Sequence, residues 1–422
     1  MSSPCPLQQG ICLHTEMIVI MRIGILRETK TPADRRVPLT PKQCRLIREE
    51  FPGLGIVVQP SRDRCFRDNE YMHEGIELGE DLSGCDILMG VKEVSAGMLI
   101  PEKTYFIFSH TIKKQEHNKQ LLMTVLEKRI RLVDYEMLTD SRGVRIIGFG
   151  RWAGLVGTYN GIRALCTRYG IPGLIPPQDC AGLQEMMQRA SDIDLPPVRI
   201  AVTGDGRVAG GSEEMLSSFR VQKVIVDSLL GNTAPEKPVY VQLDPEKYNR
   251  NKEGKRFDLQ HFFRHPEAYE SFFGRFCGIT DLLIMAAYWD PKAPVLFTVR
   301  QMQDKNFRIR VIADITCDIN GSVPSSVRTT SFADPYYDFN RFTEKEEKPF
   351  SNPGNITVMT IDNLPCGLPV EASEDFGHSL IRNVLPLLIH GDHEQIIQRA
   401  TIAEGGKLTE QYTYLADWVS KA

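Results

Sequence analysis

The chain has 422 residues, of which 42% are apolar and 25% charged, and a formal net charge of −4. That length exceeds one ordinary core and predicts two domains of a globular protein. The slight acidity argues against nucleic acid or an anionic membrane as a partner, and no apolar run approaches the about 20 residues that span a bilayer.

Ten cysteines (Cys5, Cys12, Cys44, Cys65, Cys85, Cys166, Cys180, Cys277, Cys317 and Cys366) are scattered, without a CxxC pair or clustered histidines. Neither a metal site nor a disulfide framework fits that spacing, and a reducing cytoplasm is the expected setting. Residues 1–20 lack a basic start and carry only the short apolar patch Met17–Ile20, so a disordered leader is expected there rather than a signal peptide.

Arg22–Leu26 reads as a first strand, followed by a charged turn through Arg36 and a helix with Thr40 as its cap and Pro41 in its first position. Gly55–Gln59 reads as a second strand, and strand–helix–strand predicts a parallel sheet. A short helix and loop over Tyr71–Ser83 lead to Asp86–Val91, a strand that delivers Lys92 and Glu93. Tyr105–Phe108 is a further strand, ending at Ser109-His110 and followed by Lys113 and Gln115. Next come a helix over Glu116–Lys128, a strand over Ile130–Tyr135 ending in Glu136, and a strand over Val144–Phe149. GFGRWAG then opens a long helix over Leu155–Tyr169. Gly170–Pro197 has the composition of a domain boundary. Beyond it lie a strand over Val198–Val202, a second over Lys223–Val226 ending on Asp227, and an irregular insertion over Thr233–Arg264. Strands follow over Asp281–Ala287, Arg310–Ile315 and Val358–Ile361, with a helical tail to the end.

Two neighbouring strands that stop on Lys92 and His110 would place an amine and an imidazole at one rim of a sheet, a plausible proton-handling pair. Glu93 and Glu136 would tune the proton affinity of Lys92. Arg36, Lys113 and Arg145 lie beside strand ends or turns and suit carboxylate binding. Asp314, Asp318 and Asp362 lie at or past strand ends of the second domain, facing an expected cleft, whereas Trp152 and Trp289 read as core. Gly204-x-Gly206-x-Val208-x-x-Gly211 sits between a strand and a helix. There the first glycine makes the tight turn and the second lets the backbone approach a pyrophosphate. Asp227 is placed to bond a ribose diol, which favours NAD over NADP.

KTYFIFSHTIKKQEHNKQLL, RIRLVDYEMLTDSRGVRIIGFGRWAG, VQPSRDRCFRDNEY, DILMGVKEV, VTGDGRVAGG, AAYWDPKAPVLFT, ADITCDINGS and TIDNLPCGLPVEASEDFG are the segments that carry a likeness to a known family. Together they resemble the lysine–ketoglutarate reductase half of α-aminoadipic semialdehyde synthase and, more distantly, the lysine-forming saccharopine dehydrogenases. Alanine dehydrogenases and transhydrogenases share the RETK…RRVPLTP pattern. The resemblance implies an α/β fold with two Rossmann-like domains whose parallel sheets flank a central cleft. Its parts would be a substrate domain over residues 21–155 completed by C-terminal helices over 368–422, a linking helix and loop over 156–197, and a dinucleotide domain over 198–367. It further implies interconversion of saccharopine with L-lysine and 2-oxoglutarate, with NAD or NADP as hydride carrier, in a monomer or small homo-oligomer.

By the matched motifs Lys92 resembles the family's proton acceptor and His110 its proton donor. Arg36, Gln115, Arg145, Phe149 and the Thr316–Asp318 stretch resemble substrate contacts. Ala153, Gly154, Gly204, Gly206, Asp227, Ile315 and the Ile361–Leu364 stretch, with Asp362 and Asn363, resemble the cofactor side. Fungal members carry a second arginine where this chain has Val144. An alanine-dehydrogenase-like enzyme and a non-catalytic nucleotide-binding protein on the same fold are the alternatives.

Overall fold

The computed structural model describes residues 21–231 and 234–420, so the expected leader over residues 1–20 lies outside the described residues. The chain forms two compact units, Met1–Gly148 with Ser373–Ala422, and Phe149–Ala372.

The first unit begins with strand β1 (Met21–Ile25), helix α1 (Pro41–Glu50) and strand β2 (Leu54–Val58). Thr40 and Gln43 bond each other's backbone N–H at the start of α1, with Pro41 in its first turn, a cap that stabilises by about 1 kcal/mol. Next come α2 (Asp68–His73), β3 (Glu77–Leu78), β4 (Ile87–Met89), β5 (Thr104–Ile107), α3 (Lys119–Glu127) and β6 (Arg131–Asp134). These strands lie in the order β6-β5-β4-β1-β2-β3, all parallel. The register pairs Met89 with Phe106, so β4 and β5 end side by side.

The second unit opens with α4 (Gly150–Tyr169) and α5 (Leu183–Ser191). It continues through β7 (Arg199–Thr203), α6 (Arg207–Ser218), β8 (Gln222–Lys223), α7 (Val226–Leu230), β9 (Val239–Leu243) and α8 (Pro245–Tyr248). A hairpin of β10 (Asn249–Asn251) and β11 (Tyr269–Ser271) encloses α9 (Leu259–Arg264). Then come β12 (Leu282–Met285), β13 (Val311–Asp314), β14 (Tyr337–Asn340), β15 (Lys345–Glu347) and β16 (Ile356–Met359). The sheet order is β15-β14-β16-β13-β12-β7-β9-β8. Its parallel strands β12, β13 and β16 are buried along their whole length, as strands covered on both faces must be.

Several expectations change. The helical tail contains an antiparallel pair, β17 (Thr401–Glu404) and β18 (Lys407–Leu408), and β17 adds to β6 at the edge of the first sheet. Val144–Phe149 is not a sheet strand. Asp140 accepts from the N–H groups of Arg142 and Val144 and folds that segment into a turn with one isolated bridge, Thr139 to Arg145. The expected strand Lys223–Val226 shrinks to β8 at the sheet edge, and Asp227 lies on α7. On the side away from β12, β7 pairs with β9, from the stretch expected to be irregular. Both sheets are therefore mixed rather than wholly parallel.

Candidate active site

The rim of the first sheet brings Lys92 and His110 onto adjacent strand ends, as the pattern of the sequence requires. Lys92 is half-buried three residues past β4. His110 follows β5 with φ of 52°, the left-handed region that residues with a Cβ seldom occupy, and such strain gathers at functional sites. Its Nδ1 lies 3.2 Å from the Glu93 carboxylate, and Lys30 approaches the same group at 3.5 Å. Burial alone would raise the Glu93 carboxyl, but the bond to His110, its own backbone and Lys30 hold it down at about 2. Glu136 behaves alike: burial opposes its charge, and Lys113, Arg145 and His110 bring it below the usual range.

The three expected carboxylate binders all have acidic partners. Arg36 is buried and forms two side-chain bonds to Asp34, at 3.0 and 2.6 Å. Lys113 and Arg145 are exposed and meet Glu136 at 3.5 and 2.9 Å. Gln115 is exposed and accepts a bond from Asn118, while Phe149 is buried at the cap of α4.

In the second unit Gly204 follows β7 with φ of +93°, and a Cβ there would lie 3.0 Å from the Ala287 backbone. Gly206 caps α6 and faces open space, so the helix N-terminus remains approachable by an anion. Two other glycines serve a different end from the one expected. A Cβ on Gly154 would stand 2.0 Å from the Val208 carbonyl, and one on Gly211 would stand 2.1 Å from that of Arg151. They let α4 and α6 touch backbone to backbone, which also fixes Ala153 and Val208. Ala153 and Val208 are half-buried, whereas Ile315, Ile361 and Leu364 are buried, and Ile315 and Leu364 pack on Gly157 of α4. Asp314 is fully buried as a brace for Thr316, Cys317 and Ser326, not a cleft residue. Asp318 and Asn363 are half-buried, and Asp362 is exposed.

Sequence reasoning missed Asp244. It follows β9, beside β7, where a doubly wound sheet presents an acid to a ribose. Its Oδ1 is buried without a hydrogen-bond partner among the described residues, which for a carboxylate calls for a donor. Burial raises its carboxyl, the nearby charges of Glu246 and Asp205 push the same way, and Lys247 opposes them. Asp227, exposed on α7, has no such position. Next to Asp244 a cavity of about 280 Å³ is walled by Tyr248, Phe262, Phe263, Met285, Trp289 and Leu296. Trp289, read as core, is a half-buried wall of it. Among the described residues there is no cluster of three or more metal-ligating side chains, and no helix is long and apolar enough to cross a membrane.

Residues 24–156 match the family model described as alanine dehydrogenase/PNT, N-terminal domain. The chain is 30% identical to an α-aminoadipic semialdehyde synthase of Arabidopsis thaliana, over 93% of this chain and 41% of the relative. It is 29% identical to the mitochondrial α-aminoadipic semialdehyde synthase of Mus musculus, over 96% of this chain and 48% of that protein. Thus it spans less than half the length of these relatives. It is also 26% identical to a saccharopine dehydrogenase (NAD(+), L-lysine-forming) of Emericella nidulans, over 87% and 92% of the two chains. Among solved structures an L-alanine dehydrogenase superposes with a TM-score of 0.64 at 15% identity, covering 95% of this chain and all of the other. A transhydrogenase from Sinorhizobium meliloti gives 0.57 at 14% identity, over 92% and 98%. The fold is therefore the two-domain α/β architecture of alanine dehydrogenase, and the resemblance read from the motifs is borne out.

Proposed function

We propose that this chain is an NAD-dependent oxidoreductase of the lysine-forming saccharopine dehydrogenase type, acting at the C–NH bond that joins lysine to the 2-oxoglutarate skeleton. The observation that carries this reading is the placement of Lys92 and His110 just past the paired strands β4 and β5, with His110 facing the carboxylates of Glu93 and Glu136. The relative named a saccharopine dehydrogenase (NAD(+), L-lysine-forming) supports the same reading.

In the oxidising direction Lys92 accepts the proton of the secondary amine. His110 then moves protons during addition of water to the resulting imine and its collapse to lysine and 2-oxoglutarate. Glu93 and Glu136 stay ionised and offset the positive charge at the substrate nitrogen. Lys113 and Arg145 can exchange their shared partner Glu136 for a substrate carboxylate.

The residues of the second unit fit a dinucleotide. The Gly204–Gly206 turn at the start of α6 suits a pyrophosphate, the unsatisfied Asp244 oxygen suits a ribose hydroxyl, and the aromatic cavity suits an adenine ring. When bound, the nicotinamide supplies a hydride acceptor. A carboxylate at Asp244 would repel a ribose phosphate, which favours NAD over NADP.

Oxidation of NADH and of NADPH should be followed with L-lysine and 2-oxoglutarate present together. NADH should be oxidised only when both are present. Turnover with pyruvate and ammonia instead would transfer the assignment to an alanine-dehydrogenase-like enzyme, and no turnover with either pair would leave a nucleotide-binding protein.

A further inference from the structure

We infer that two enclosed carboxylates, Glu28 and Asp134, are positioning residues that fix the backbone on which Lys92 and His110 stand. The sheet order β6-β5-β4-β1 puts the strands bearing Lys92 and His110 in the middle, flanked by β1 and β6. Each flanking strand sends one carboxylate to the loop of its inner neighbour. Past β1, Glu28 accepts from Val91 N–H at 2.6 Å through Oε1 and from Lys92 N–H at 2.9 Å through Oε2. At the end of β6, Asp134 Oδ2 accepts from Ser109 N–H at 3.1 Å and from the Ser109 hydroxyl at 2.5 Å. The other oxygen of Asp134 accepts from Glu136 N–H at 2.8 Å.

These bonds bear on the proton-handling side chains through the backbone. Thr111 N–H donates to the Ser109 hydroxyl at 3.3 Å, so the residues on both sides of His110 are tied to Asp134. That tie opposes relaxation of His110 from its left-handed φ of 52°. Asp134 also sets the start of the turn that presents Glu136, so one carboxylate places His110 and the acid nearby. Glu28 does the same for Lys92 with both oxygens. Part of Glu28 reaches the surface, yet its carboxyl is enclosed, and burial first, then Asp34, push it up to about 8. In either protonation state both of its oxygens can accept, so the clamp does not depend on its charge.

This inference rests on the saccharopine reading for its kinetic arm only. The variants are Glu28→Gln, Glu28→Asp and Asp134→Asn. An amide nitrogen cannot accept, and an aspartate is one methylene too short to reach both N–H groups. Hydrogen exchange of backbone amides and saccharopine oxidation with NAD should be measured on each. Glu28→Gln and Glu28→Asp should speed exchange at Val91 and Lys92 and leave Ser109 protected, whereas Asp134→Asn should do the reverse. Each should lower kcat about 10–100-fold, the scale of a misplaced reacting group, with KM for saccharopine within about twofold.

Wild-type exchange rates at these amides in the variants would overturn the proposal. So would faster exchange across the whole unit, which marks a general stabilising role, or a Glu28→Asp enzyme as active as wild type, which marks a role for charge alone. A wild-type protein that does not turn over saccharopine would remove the functional reading, and the exchange measurements would still decide whether the two carboxylates act as braces.

Discussion

The rim of the first sheet and the glycine turn of the second are both strand-end sites, yet they are built in opposite ways. At the rim, side chains hold side chains: Glu93 between His110 and Lys30, Glu136 between Lys113 and Arg145. At the turn, the structure depends on side chains that are missing, at Gly204 for approach of the Ala287 backbone and at Gly154 and Gly211 for approach of α4 to α6. A charge network can exchange partners with a substrate, whereas a backbone contact has no partner to give up. The rim should therefore tolerate substitution in folding and fail in catalysis, and the helix contact should fail in folding.

The largest effect is expected at the helix contact. Gly154→Val or Gly211→Val sets a branched side chain against backbone that has nowhere to move, at a cost above about 4 kcal/mol. Thermal unfolding should show either variant unfolded or strongly destabilised. Gly210→Ala on the same helix meets nothing within 4 Å and should stabilise by about 0.5–1 kcal/mol. Equal losses at positions 210 and 211 would show that α6 resists any glycine replacement and that the contact is not the cause.

Next in size come Lys92→Met and His110→Gln, which should keep the melting temperature near that of wild type and lower kcat by roughly 10²–10⁴. In the pH profile of kcat/KM, Lys92→Met should remove the ionisation of the basic catalyst. His110→Gln should slow imine formation and hydrolysis more than hydride transfer, which single-turnover measurements separate. A melting temperature that falls as far as the activity would place both residues with the structural glycines.

A smaller effect separates two acids of the second unit. Asp244→Ala should weaken NAD binding about tenfold, near the 1.4 kcal/mol of one hydrogen bond, and narrow the gap between NAD and NADP. Asp227→Ala, on exposed α7, should change neither in a titration of cofactor fluorescence. The reverse ranking would return the ribose to Asp227 and leave the buried Asp244 oxygen unexplained.

The contrast between Asp227 and Asp244 also shows what the sequence made legible. Apolar runs ending on a lysine and a histidine place strands β4 and β5 and the two side chains that follow them, because a buried parallel strand announces itself by composition. The glycine turn is readable for the same reason. What chain order conceals is adjacency: β9 enters between β7 and β8, so the strand next in sequence is not the strand next in space. Tertiary pairing likewise recruits β17 from far along the chain to β6, a partner that no local pattern reveals. Gly154 and Gly211 are visible as glycines, but only packing tells a ligand-facing glycine from one facing a helix.

The smallest effect expected is thermodynamic and tests the rim as a charge network. The Glu93 carboxyl titrates at about 2 in the folded chain against an ordinary 4.5, so folding favours its charged form. The sign follows from linkage: this contribution is fully present above about pH 5 and disappears as the pH falls toward 2. Glu93→Gln removes it. Unfolding by denaturant should therefore show wild type the more stable at neutral pH, by about 1 kcal/mol or less given solvent screening of these part-exposed pairs, with the gap closing steadily on acidification. A gap that stays constant down to about pH 3 would mean that Glu93 gains nothing from its two basic neighbours. The rim would then resemble the glycine turn, held by shape rather than by charge.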